Sequence, residues 1–170
     1  MAELHYRSAG AADVPLLAEM NQELIRDEGS RNKMSLAELA QRMAGWLGAK
    51  EWEARLLLCG EEAVGYALYQ YREQGAEAYL RQYMIRREYR NRGYGLAGIR
   101  LLRERLGDVP TLSLDVLDAN AAGRRFWARA GFVPDYIHMR LEQSRPADPD
   151  LGRAPNPPSD DSACFDPSVQ

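Results

Sequence analysis

Arg90-Asn91-Arg92-Gly93-Tyr94-Gly95 is the stretch whose residue types and spacing most clearly promise chemistry. It lies between an extended run, Ala78 to Ile85, and a helical one, Gly95 to Leu106. Two glycines two apart let the chain turn tightly, so that several amide N–H groups, those of Arg92 to Gly95, can point one way. The helix that follows adds the partial positive charge of its N-terminus. Arg90 and Arg92 place guanidinium groups beside it, suited to phosphate oxygens. These features predict a cradle for a diphosphate. The chain has neither G-x-x-x-x-G-K-[ST] nor G-x-G-x-x-G, which removes the two familiar nucleotide cradles.

A second stretch follows. Leu112, Leu114 and Val116 alternate as a strand with one face on a core, and Asp115 falls on the opposite face. Asp118 and Asn120 can cap the next helix, which carries Arg124, Phe126 and Trp127 and stops at Gly131, a natural left-handed terminus. R-x-x-G-x-G followed by V-x-x-x-N-x-x-G-x-x-F-W-x-x-x-G-F resembles the Gcn5-related N-acetyltransferases (GNAT), over roughly Leu4 to Leu141.

The resemblance implies transfer of an acetyl group from acetyl-CoA directly to an amine in a ternary complex, with no metal. It implies that the pyrophosphate of CoA meets Arg90, Asn91, Arg92, Gly93, Tyr94 and Gly95. The pantetheine arm would run along Tyr83, Met84 and Ile85, where parallel strands splay, and Asn120 would approach it. A backbone N–H near Ile85 would polarise the thioester carbonyl. Asp115 is the candidate base, matching a glutamate assigned that role in ribosomal-protein alanine acetyltransferases, although a strand carboxylate in a salt bridge would look the same. Many members carry tyrosine where this chain has Trp127, whose indole N–H has no usable acidity. Trp127 is therefore expected to pack at the acetyl end of the tunnel, and a thiolate leaves tolerably without an acid, its thiol titrating near ~8.5. Tyr83, Tyr94 and Tyr136 are alternative proton donors.

The acceptor is expected to enter near the early helices. Asp27 and Glu28, with Glu23 one turn earlier, put carboxylates at a helix C-terminus, against its dipole, where they could attract a cationic amine. Asn21, Arg31 and Asn32 would add polar contacts. A small amine, an amino acid or a peptide N-terminus would each fit. A non-catalytic acyl-CoA-binding module is the competing expectation, sustained by Trp127. A homodimer is a compatible assembly.

The elements that must position these groups read as α/β of the α+β kind: a central mixed, twisted sheet of six to seven strands with about four helices. Strands are expected at Leu4 to Ser8, Arg55 to Cys59, Ala63 to Arg72, Ala78 to Ile85, Thr111 to Val116 and Tyr136 to Leu141. Asp13 and Pro15 open a helix with Leu16, Leu17, Met20, Leu24 and Ile25 inward. Ser35 and Glu38 form a capping box for a second, with Leu36, Leu39, Met43 and Leu47 inward.

A chain of 170 residues, 45% hydrophobic and 28% charged, suits one globular domain with a real core. Residues 1–142 hold 20 basic and 20 acidic side chains, which argues against nucleic acid. Residues 143–170 carry six of the nine prolines and a net charge of −3, composition that predicts a disordered tail. No apolar run approaches the ~18 residues of a membrane span. There is no signal-peptide pattern, so a cytoplasmic protein is expected. Cys59 and Cys164 make no disulfide framework, and His5, His138 and Ser113 make no nucleophilic or metal constellation.

Overall fold

The computed structural model describes residues 3–141. The chain divides into two units after Pro134. The first holds five strands and four α-helices: β1 (Leu4–Ser8), α1 (Val14–Glu28), α2 (Leu36–Gly48), β2 (Trp52–Cys59), β3 (Glu62–Arg72), β4 (Glu77–Ile85), α3 (Tyr94–Leu106), β5 (Thr111–Leu114) and α4 (Ala121–Arg129). The strands lie side by side in chain order. β1 to β4 pair antiparallel, and β5 joins β4 in parallel after the α3 crossover.

Helices cover both faces, which is why β3 is apolar almost throughout. On one face Leu17, Met20 and Leu24 of α1 and Met43 of α2 pack on Leu56, Leu58, Tyr66, Leu68 and Met84. On the other, Ile99, Leu102 and Leu106 of α3 pack on Ala67, Tyr69, Ala78 and Leu80, with Phe126 and Trp127 of α4 against them.

The helix signals resolve individually. Ser35 and Glu38 form the capping box at α2, with Ser35 N donating to Glu38 Oε2 at 2.7 Å. Asn120 caps α4 through Oδ1, which accepts from Gly123 N at 2.8 Å. Asp13 precedes α1 but makes no side-chain cap; its carboxylate accepts from Arg7 Nη2 at 2.8 Å and from Gly10 N at 2.8 Å instead. A guanidinium partner outbids a helix amide for the same oxygens. Leu36, the first residue of α2, does not face the core but is 41% exposed.

Among the described residues the sheet has five strands, not six or seven. Residues 136–141, in the second unit, form no strand. Their alternation records a segment able to be a strand, but a strand also needs a neighbour for its hydrogen bonds, and spacing alone cannot supply one. β5 likewise ends at Leu114, before Asp115 and Val116. The expected tail, 143–170, lies outside the described residues.

Candidate functional site

Two departures from regular pairing create the site. β4 pairs with β5 only from Glu77↔Thr111 to Leu80↔Leu114, and then runs on through Ile85. Past that point β5 offers β4 no partner. β4 also holds one residue more than β3 between Leu68↔Gln82 and Tyr69↔Leu80, so Arg81 is a bulge at the place where the strands part. Arg86 N donates to Val64 O at 2.9 Å on the β3 side. Antiparallel alternation then turns the N–H and C=O of Ile85 to the opposite edge, the open one. Consistently, Ile85 O accepts from Arg90 Nε at 2.7 Å, from outside the sheet. Of the strand stretch expected to meet the cofactor, Met84 has its side chain buried in the core, and the same alternation turns its backbone to Tyr66 of β3, not to the open edge. Tyr83 donates its hydroxyl to Gly95 O at 2.7 Å, fastening β4 to α3.

The loop after β4 is the one expected to form the cradle. Asn91 and Gly93 both adopt left-handed backbone, φ 60 and 84, and Gly93 is the N-cap of α3. A Cβ on Gly93 would meet nothing within 4 Å, so the loop presents open space there. Gly95 differs: a Cβ would come within 2.9 Å of the Phe126 ring, so its absence brings α4 close to α3. The amides of Tyr94, Gly95 and Leu96 belong to the first turn, which has no preceding carbonyls to bond.

The two arginines divide. Arg92 is exposed, its guanidinium 5.7 Å from the Tyr89 ring centroid. Arg90 turns to α1, pairing with Asp27 and, at 3.4 Å, with Glu23. Arg87, which sequence reasoning passed over, joins them: its backbone N donates to Glu23 Oε1 at 3.0 Å and its Nε to Asp27 Oδ1 at 3.0 Å. Glu23 and Asp27 thus anchor α1 to the cradle loop. Burial would raise the Asp27 carboxyl, but hydrogen bonds from Arg87 and Arg90 hold it below the ordinary carboxylate range. Glu28 stands apart from this latch. Burial pushes its carboxyl up, and the neighbouring Asp27 charge adds to the shift.

Asp115 sits just past the end of β5 and is exposed. Its Oδ2 accepts from the hydroxyl of Tyr79 at 2.7 Å. Tyr79 is buried in β4, and burial followed by its bond to Asp115 raises its hydroxyl far above the ordinary value. It therefore keeps its proton and orients the carboxylate. Tyr79 lies one residue before the last β4–β5 pair, a position that alternation along β4 marks but cannot connect to Asp115.

Trp127 packs among Tyr83, Phe126 and Phe132, with centroid distances of 5.7, 4.8 and 5.1 Å. Among the alternative tyrosines, Tyr83 is raised well above its ordinary value by burial. Tyr94 lies 3.4 Å from Cys59 Sγ. Tyr136 falls in the second unit. Among the described residues no group of three or more His, Cys, Asp or Glu could hold a metal ion, and no helix is long and apolar enough to cross a membrane.

No curated protein matches the chain. Solved structures share its fold at low identity. A possible acetyltransferase from Clostridium difficile is 16% identical, with a TM-score of 0.66 over 84% of this chain and 99% of its own. A ribosomal-protein-alanine N-acetyltransferase from Brucella melitensis is 13% identical, with a TM-score of 0.65 over 84% of this chain and 100% of its own. A predicted acetyltransferase from Clostridium acetobutylicum, solved with acetyl-CoA, is 16% identical, with a TM-score of 0.62 over 82% and 96%. Residues 17–132, well over half the sequence, match the acetyltransferase (GNAT) family itself. The fold thus presents an opened β4–β5 seam beside a glycine-turned helix start, and the chain belongs to the GNAT family.

Proposed function

We propose that the protein is an N-acetyltransferase that passes the acetyl group of acetyl-CoA directly to a primary amine while both are bound. The observation that carries this reading is the unpaired edge of β4 beyond Leu80, ending beside the Gly93 turn. It offers main-chain groups to an amide-bearing arm and first-turn amides to a diphosphate. Tyr94, Gly95 and the exposed Arg92 supply the diphosphate contacts, with Asn91 and Gly93 setting the turn. Tyr83 and Ile85 line the arm by their backbone, with Met84 between them bonded toward β3, and the Asn120 amide nitrogen is left over once its oxygen caps α4. Trp127 closes the aromatic end.

The chemistry balances without a covalent enzyme intermediate. The amine lone pair forms the new C–N bond at the thioester carbonyl, whose oxygen takes negative charge toward the Ile85 N–H. Collapse breaks the C–S bond and the electron pair leaves on sulfur. The ammonium proton passes to Asp115, directly or through water, and on to solvent. The thiolate takes its proton from solvent, since Tyr79 holds its own too tightly and Trp127 has none to give. Asp115 accepts from the Tyr79 hydroxyl on Oδ2, which fixes the direction of its carboxylate.

The packing of Trp127 among three rings also suits a protein that only binds acyl-CoA. Thiol release from acetyl-CoA with a panel of amines separates the two. Turnover with any amine supports the enzyme; tight CoA binding with no turnover across the panel supports the binding module.

A further inference from the structure

Arg100 and Arg103 of α3 and Arg129 of α4 line a single cavity of about 90 Å³, together with Leu96, Ile99 and Ala130. Among the described residues no carboxylate pairs with any of the three arginines. Elsewhere in the first unit Arg7, Arg55, Arg87, Arg90 and Arg124 each meet an aspartate or a glutamate. Arg100 and Arg103 stand three apart, hence on one face of α3, where like charges cost helix stability. Arg129 adds a third positive charge from the neighbouring helix. Packing does not call for them, since Ile99, Leu102 and Leu106 already hold α3 to the sheet. Three planar donor forks around one concavity make a seat for a compact, doubly charged anion, and a phosphate monoester is such a group. The space equals about three waters at ~30 Å³ each, room for a phosphoryl group.

Leu96 ties this cavity to the cradle. Its amide belongs to the first turn of α3, and the residue also lines the cavity. Arg100 and Arg103 follow Leu96 by four and seven residues, about 6 and 10 Å along the helix axis. Helical side chains lean toward the N-terminus, so both arginines reach back toward the Gly93 turn. Arg129 lies one turn beyond Phe126, whose ring approaches α3 at Gly95, and this contact brings it to the same cavity.

We propose that the cavity binds the 3′-phosphate of the cosubstrate, the phosphate monoester on the ribose of CoA. This rests on the acetyl-CoA reading. That ribose bears the diphosphate at its 5′ position and the monoester at its 3′ position, so the two anions are one sugar ring apart. A diphosphate on the first-turn amides places the monoester about one helical turn away, the separation of Leu96 from Arg100. Main-chain groups hold the diphosphate, and the three side chains select the phosphorylated ribose.

The test is calorimetry with the full chain, measuring Kd for CoA and for 3′-dephospho-CoA at low ionic strength. CoA should bind about 10-fold tighter, the scale of several exposed ion pairs acting on one group. Added salt should narrow the gap. Arg100→Gln, Arg103→Gln and Arg129→Gln should each reduce the ratio about two- to threefold, and the triple variant should bring it near one. The loss should fall on CoA and hardly touch the dephospho form, which lacks the group the arginines meet. Arg100→Lys should keep part of the preference. All three side chains are exposed, so Tm should stay at the parent value; if the triple variant melts early, the single ones decide. Equal affinity of the parent for the two ligands, a ratio unmoved by the substitutions, or equal losses for both ligands overturns this inference and leaves the acetyl-CoA reading standing. Failure of both ligands to bind the parent overturns both.

Discussion

The proposed cradle and the proposed acceptor side are built by opposite strategies. The cradle comes from one short loop, and its working parts are main-chain amides, a left-handed glycine and a helix start. The proposed acceptor side instead draws side chains from separate strands, Tyr79 of β4 and Asp115 past the end of β5. A cosubstrate common to many enzymes can be met by backbone geometry, which any sequence with the right glycines can make. An acceptor peculiar to one enzyme has to be recognised by side chains, and only the folded chain brings them together. Loss of an acceptor-side side chain should therefore act on turnover, and loss of a cradle glycine on cosubstrate affinity.

The largest effect belongs to Asp115. Asp115→Asn keeps the Tyr79 bond in reach but cannot accept the proton, so kcat should fall by about 10²–10³, the range of general-base losses. CoA affinity should hold, since Asp115 is not in the cradle. Equal losses in kcat and CoA affinity would mean that the two regions are not separable. Gly93→Val should do the reverse. Its left-handed backbone costs a branched residue about 1–2 kcal/mol, and the side chain would occupy the open space in front of the turn. CoA affinity measured by calorimetry should drop by about 10- to 100-fold, the equivalent of one or two charge-assisted hydrogen bonds. Turnover at saturating acetyl-CoA should change far less.

The same contrast explains what could be read from the sequence. The Gly93 turn, the α3 start, the Ser35–Glu38 box and the Asn120 cap are each local, so residue type and spacing determine them. Strand identities were legible for the same reason, because burial on each face sets the alternation. The bulge at Arg81 was not, since it depends on how many residues β3 and β4 each place between two paired rows. Nor was the tie between Tyr79 and Asp115, 36 residues apart, which requires the parallel register of β4 and β5. The charges at the end of α1 read as an open acidic mouth. In the fold Glu23 and Asp27 find Arg87 and Arg90, between 60 and 67 positions along the chain. Gly98 was likewise silent: a Cβ there would come within 2.4 Å of the Tyr83 hydroxyl, a constraint visible only once α3 lies on the sheet.

The Arg90 pairing makes a smaller, signed prediction. Because Asp27 and Ile85 O already engage Arg90, Arg90→Ala should weaken CoA binding only a few-fold, and less at high salt, as befits a half-exposed charge. Asp27→Asn should act in the other direction. With its carboxylate gone, the Arg90 guanidinium is freer to turn to a phosphate, and CoA affinity should rise slightly or hold. A marked loss of affinity in Asp27→Asn would show that the latch, not the freed arginine, shapes the cradle.

The smallest effect sets two adjacent residues against each other. Asp27 belongs to the cradle latch and Glu28 stands apart from it, and their carboxyls shift in opposite senses. Asp27 titrates below its unfolded value, which lies near ~3.9. Its stabilisation is therefore present above that pH and lost as pH falls through the lower folded value. Glu28 titrates above its unfolded value, near ~4.3, so folding is favoured below that pH and the advantage is lost as pH rises through the raised value. Asp27→Asn should accordingly lower Tm at pH 7, with the gap from the parent closing toward pH 3. Glu28→Gln should raise Tm at pH 7 and leave it unchanged near pH 4. Thermal melts of both variants across that range check the signs. If both variants moved Tm the same way at pH 7, the end of α1 would be a single acidic patch, and the latch would not set Asp27 apart from Glu28.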